Sequence, residues 1–137
     1  MPFKRKGRFS VLGLLLAGVS FGPAAPPKSP QLAALAEARY QAALKQYDET
    51  WAYFRQARID TYPVYVWSRL LLDCRRDIAE KPADRRDALE QHLDRMKKLE
   101  ELIKKVRRLG FGRTYDVGSA EYYRIEAEYW VLLEKTK

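Results

Sequence analysis

From Pro30 onward the apolar residues of this chain recur at alternating spacings of three and four. Tyr40, Leu44, Tyr47, Trp51 and Phe54 make the first such stripe, and Ala33 and Ala36 extend it backward. That spacing places the side chains on one face of an α-helix and has the form of a heptad seam. Ser29 before Pro30 supplies an N-cap and a first helical residue whose φ is already set. The first helix is therefore expected to run to about Arg58, roughly 44 Å at 1.5 Å per residue.

Asp60 and Thr61 interrupt this stripe, and Pro63 opens a second one: Val64, Trp67, Leu71, Cys74 and Ile78. A third helix is expected after Pro82, with a face of Leu89, His92 or Leu93, Met96, Leu99, Ile103 and Val106, ending at Gly110 as helices often do. Three acid-before-base pairs, Asp94 with Lys98, Glu100 with Lys104 and Glu101 with Lys105, read as its solvated side. Thr114 or Asp116 can cap a fourth helix, which carries two apolar sides. One holds Val117, Ala120, Tyr123, Ala127 and Trp130, the other Tyr122, Ile125, Tyr129 and Leu132. So broad an apolar surface is expected to pack against two neighbours.

An internal likeness accompanies this pattern. Thr61, Tyr62, Pro63, Val64 and Thr114, Tyr115, Asp116, Val117 match at an offset of 53 residues, each opening a shorter helix after a longer one. No strand-like alternation competes. The expected fold is all-α, an antiparallel four-helix bundle or a pair of helical hairpins in long-short, long-short order.

Composition changes the picture chiefly at the N-terminus. Lys4, Arg5, Lys6 and Arg8 precede an apolar run from Val11 to Phe21, too short to span a bilayer and suited to the hydrophobic region of a signal peptide. Ala24 is the best cleavage position, so residues 1–24 are expected to be a leader, 25–30 a Pro-rich spacer and 31–137 the bundle domain. The 137-residue chain has 26 Lys and Arg against 18 Asp and Glu, a formal charge of +8. Four of those cations belong to the leader, which leaves 22 against 18 in the exported part. Export places the domain in the periplasm or outside the cell.

Catalytic constellations are missing from the sequence. The lone Cys74 allows no internal disulfide and no cysteine zinc site, and it sits on a core stripe. His92 is the only histidine, and Met96 lies one turn away on the same helix, so the two cannot hold opposite faces of a haem. Glu-x-x-His repeats for a di-iron site are absent. Ser68 and Ser119 lie far from His92 along the chain, and Gly110 and Gly112 lack the Lys-Ser/Thr of a P-loop. A non-enzymatic protein without cofactor or metal is expected.

Two features point to contacts instead. Between Arg95 and Arg113 eight cations face only Glu100 and Glu101. Lys104, Lys105, Arg107, Arg108 and Arg113 form a candidate patch for an anionic envelope polymer or lipid, nucleic acid not being expected for an exported chain. Nine Tyr and three Trp exceed what one small core needs. Tyr53, Tyr65, Tyr122 and Tyr129 are hard to bury together, and surplus aromatic surface favours a protein partner or self-association.

The segment Tyr53-Phe-Arg-Gln-Ala-Arg-Ile-Asp-Thr-Tyr-Pro-Val64, and Phe111-Gly-Arg-Thr-Tyr-Asp-Val117 continuing through Ala120 to Tyr-Arg-Ile-Glu-Ala-Glu128, resemble the helix-opening element repeated in outer-membrane efflux factors of the TolC type. Val64 to Arg69 and His92 to Met96 are also similar to segments of uncharacterised small exported helical proteins. The efflux-factor resemblance implies a periplasmic coiled-coil-like hairpin. Ala57 stands where that element has Gly, and the strands of a transmembrane barrel are missing, so the chain is no channel by itself and no family site carries over.

Overall fold

The computed structural model describes residues 29–137. Helices make up 85% of it, and no strand occurs among the described residues. They are α1 (Pro30–Arg55), α2 (Thr61–Ile78), α3 (Pro82–Arg108) and α4 (Thr114–Lys135), an all-α four-helix bundle. Their lengths of 26, 18, 27 and 22 residues keep the expected long-short, long-short order. The leader and the spacer up to Lys28 lie outside the described residues.

The helix ends follow local chemistry. Ser29 Oγ accepts from the Leu32 amide at 3.1 Å, and Pro30 is the first helical residue of α1. The helix stops at Arg55, short of Arg58, because Ala57 turns left-handed at φ 57°. Ala57 N–H then donates to Phe54 at 2.9 Å and Arg58 N–H to Tyr53 at 3.1 Å, the paired bonds of a Schellman turn. The end of α3 repeats this at the same 53-residue offset. Gly110 at φ 85° donates to Arg107 at 3.0 Å and Phe111 to Val106 at 3.1 Å. The likeness between the two hairpins thus covers the Schellman end of each long helix and breaks at Gly112, whose φ of 73° has no counterpart at Ile59.

Two expected starts move. Asp60, not a residue near Pro63, caps α2, its carboxylate accepting from the Tyr62 amide at 3.1 Å. Arg113 occupies the cap position of α4, and the Asp116 carboxylate accepts two hydrogen bonds from its guanidinium, at 3.0 and 3.1 Å.

Helix α2 is central and packs against all three others, while α3 pairs with α4. Ion pairs mark the directions: Arg39 to Asp77 joins the start of α1 to the end of α2, Arg75 to Asp87 the end of α2 to the start of α3, and Lys135 to Glu90 the end of α4 to the start of α3, so successive helices are antiparallel. Because α2 has neighbours on several sides it buries two stripes, adding Ser68 and Leu72 to Val64, Leu71 and Cys74, and leaving Trp67 and Ile78 half-buried. The principal core joins Val64, Leu72, Leu89, Met96, Leu99 and Ala120 with Tyr123, Ala127 and Val131.

Helix α1 meets the others differently. Its expected seam is only half-buried at Tyr40, Leu44, Tyr47 and Trp51, and the buried positions are Ala43, Thr50 and Phe54. Its backbone rests on α2 alone, and of residues 30–42 only Ala36 and Tyr40 are even half-buried. Ala33 is therefore exposed and Ala36 only half-buried.

Candidate functional site

Helix α4 has two apolar faces, and the bundle covers one. Ala120, Tyr123, Ala127 and Val131 are buried, with Asp116 continuing the line. Stepping 100° per residue puts Tyr122, Ile125, Tyr129 and Leu132 on the opposite side. They are 59, 50, 60 and 63% exposed, at spacings of three, four and three. The expected double-sided helix is present, but both of its neighbours, α3 and α2, lie on the core side, and the second face is uncovered among the described residues.

Polar contacts fix how that face is presented. The Glu100 carboxylate, buried rather than on the solvated side of α3, accepts from Arg124 Nε at 2.6 Å and Lys104 Nζ at 2.7 Å. Burial alone would raise its pKa. The hydrogen bonds from Lys104 and Arg124 outweigh that and hold it below the usual carboxylate range. Arg124 also donates to Glu128 at 2.7 Å, so one guanidinium ties α4 to α3 and to its own next turn. On the other flank the Tyr65 and Tyr123 rings stack at 4.0 Å. Tyr65 donates to Glu126 at 2.6 Å and accepts from Arg69 at 3.0 Å. Burial, then the Glu126 carboxylate, push the Tyr65 phenol up to about 12.

Ser68 and His92, 24 residues apart in sequence, meet in the core. Ser68 Oγ and His92 Nδ1 are 2.8 Å apart and both residues are fully buried. The imidazole stacks on Trp130 at 5.8 Å, and Nε2 has no hydrogen-bond partner among the described residues. Burial, then the charges of Arg95 and Arg69, push its pKa down to about 3, so the ring is neutral. Enclosed in this way, the pair works as a core hydrogen bond between α2 and α3. The thiol of Cys74 is likewise buried, and burial raises its pKa.

The five residues of the candidate basic patch do not act as one set. Lys104 is held by Glu100, and Arg113 by Asp116. Lys105 and Arg108 instead join Arg55 and Lys98 around Trp51, in a groove between α1 and α3 that holds one acid, Glu101. Arg107 is exposed and does not line this groove. Arg55 carries no sequence signal for this role, since it comes from the turn of the other hairpin. The same bundle end has a cavity of about 720 Å³ lined by both turns, with Phe54, Ile59, Leu102, Val106 and Phe111 among its walls and Arg55, Arg58 and Arg113 at its margin.

No helix among the described residues is long and apolar enough to cross a membrane. Those residues also gather no group of three or more His, Cys, Asp and Glu that could hold a metal ion. No family model matches the chain, and neither a curated protein nor a solved structure matches it.

Proposed function

We propose that the chain is an exported, non-enzymatic helical bundle that works by protein–protein contact in the cell envelope, with the outer face of α4 as the docking surface. The observation that carries this is the exposed heptad seam of Tyr122, Ile125, Tyr129 and Leu132 directly opposite the helix's core face. A helix apolar on both sides has the composition of a buried element.

The occupant is a second copy of the chain. The seam is nearly symmetric about Ala127, so an antiparallel pair sets Ile125 against Tyr129 and Tyr122 against Leu132, each twice. The flank is complementary too, since Glu121 of one copy falls beside Lys135 of the other. Glu128 meets its own counterpart at the centre, where Arg124 already neutralises it at 2.7 Å. Given their exposure, the four seam side chains offer at most roughly 500 Å² per copy, about 1,000 Å² for the pair, so a specific interface also needs the flanking Glu121, Glu128 and Lys135.

Light scattering over a concentration series tests this reading. The full chain is expected to dimerise at micromolar concentration, and Ile125→Glu with Tyr129→Glu to be monomeric with unchanged helicity by circular dichroism. A wild-type chain that stays monomeric throughout the series would overturn it.

A further inference from the structure

We propose that the turn end of the bundle docks on an anionic lipid bilayer, with Leu109 and Phe111 entering the interface and the surrounding arginines and lysines meeting the headgroups. This surface is separate from the outer face of α4 and does not depend on it.

Charge is concentrated at this end. Five of the chain's 26 Lys and Arg precede Ser29, so the described residues carry 21 cations against 18 acids. Arg55, Arg58, Lys105, Arg107, Arg108 and Arg113 all lie in or beside the two turns. The turns themselves hold two carboxylates, both engaged: Asp60 caps α2 and Asp116 binds Arg113. The cationic excess of the domain therefore sits at one end.

Apolar groups are interleaved with those charges. Leu109 is 65% exposed, Phe111 70%, Tyr115 60% and Tyr62 58%. In a Schellman turn the residue at the place of Phe111 ordinarily packs back on its own helix. Here that ring, between the left-handed Gly110 and Gly112, lies at the wall of the open cavity and is 70% exposed. Arg113 lies over the Tyr115 ring at 5.2 Å and Arg58 over Tyr53 at 5.8 Å, pairs of amphipathic side chains suited to the headgroup region. A nucleic acid or soluble polyanion would use the cations and leave the exposed leucine and phenylalanine without a role. A bilayer uses both, since interfacial binding adds buried apolar area to attraction for anionic lipid.

Co-sedimentation of the full chain with phosphatidylglycerol-containing and with pure phosphatidylcholine vesicles tests the proposal. Any contribution of residues 1–24 is common to all variants, so the readout is the change caused by tip substitutions. Leu109→Ser with Phe111→Ser is expected to weaken binding to the anionic vesicles about tenfold or more. Arg107→Glu with Arg108→Glu is expected to do likewise and to reduce the salt dependence, at about fivefold per cation removed from the surface. All four positions are solvent-exposed, so folding should be unaffected, which circular dichroism checks. Variants that bind as the wild type does would overturn the proposal. So would a loss of binding confined to the charge variants together with equal affinity for an oligonucleotide, which would assign the tip to soluble polyanions.

Discussion

Ser68 Oγ and His92 Nδ1 stand 2.8 Å apart across the α2–α3 interface, and neither side chain reaches solvent. A neutral imidazole in that position makes stability depend on pH in a range where carboxylates are silent. With its pKa lowered to about 3, His92 binds no proton in the folded state at pH 5, while the unfolded chain does so below about 6.5. Its contribution is complete above the unfolded pKa and is lost as pH falls toward the folded one. Unfolding free energy from urea titrations should be flat above about pH 7 and fall by up to about 1.4 kcal/mol per pH unit below about 6. His92→Leu should remove that slope, because the chain has no other histidine. Ser68→Ala should cost about 1–3 kcal/mol by leaving Nδ1 unpartnered. A wild-type profile flat down to pH 5 would exclude a buried neutral His92.

Ala57 and Gly110 hold the same place in the two hairpin turns, both at positive φ. For alanine this conformation is strained by about 1–2 kcal/mol, partly offset by the greater freedom glycine would have in the unfolded chain. Ala57→Gly should therefore stabilise the protein by roughly 0.5–1 kcal/mol, and Gly110→Ala should destabilise it by a similar amount. Paired thermal melts with the opposite outcome would contradict the left-handed assignment.

Arg124 should matter more than its place at the edge of α4 suggests. Removing it in Arg124→Met leaves the buried Glu100 carboxylate with Lys104 alone, at an expected cost of about 2 kcal/mol or more. Lys104→Met, whose side chain is 45% exposed, should cost less than about 1 kcal/mol. Glu100's share of stability is present above the ordinary carboxylate range and lost as pH falls through its lowered folded pKa. Denaturant titrations of the two variants at neutral pH check the ranking.

What was legible in the sequence and what was not divides along local and tertiary lines. The three-and-four spacing was sufficient for four helices in the right order, because each buries a stripe against a neighbour and Ser29, Pro30 and Gly110 mark ends chemically. The second seam of α4 was equally legible, being a property of one helix. Glu100 reads as outward because it pairs with Lys104 four residues on, and Thr50 stands outside the apolar stripe of α1. Thr50 is buried with its hydroxyl donating to the Gln46 carbonyl at 2.7 Å, and Glu100 because Arg124 reaches it from another helix. The pairing of Ser68 with His92 leaves no local trace, and the gathering of Arg55 with Lys105 and Arg108 arises only once the two hairpin turns share one end of the bundle.

The most direct measurement concerns the α4 seam. Cys74 is buried with its thiol pKa raised, so added surface cysteines report without interference. One chain carrying Ile125→Cys is mixed with another carrying Tyr129→Cys under mild oxidation. An antiparallel pair brings these two positions together, and a mixed disulfide joining residue 125 of one copy to residue 129 of the other should form well ahead of either like-with-like product. If the like pairs form as fast as the mixed product, the antiparallel register is wrong, and if no disulfide forms while both cysteines remain freely alkylated, the outer face of α4 is not where this protein makes its contact.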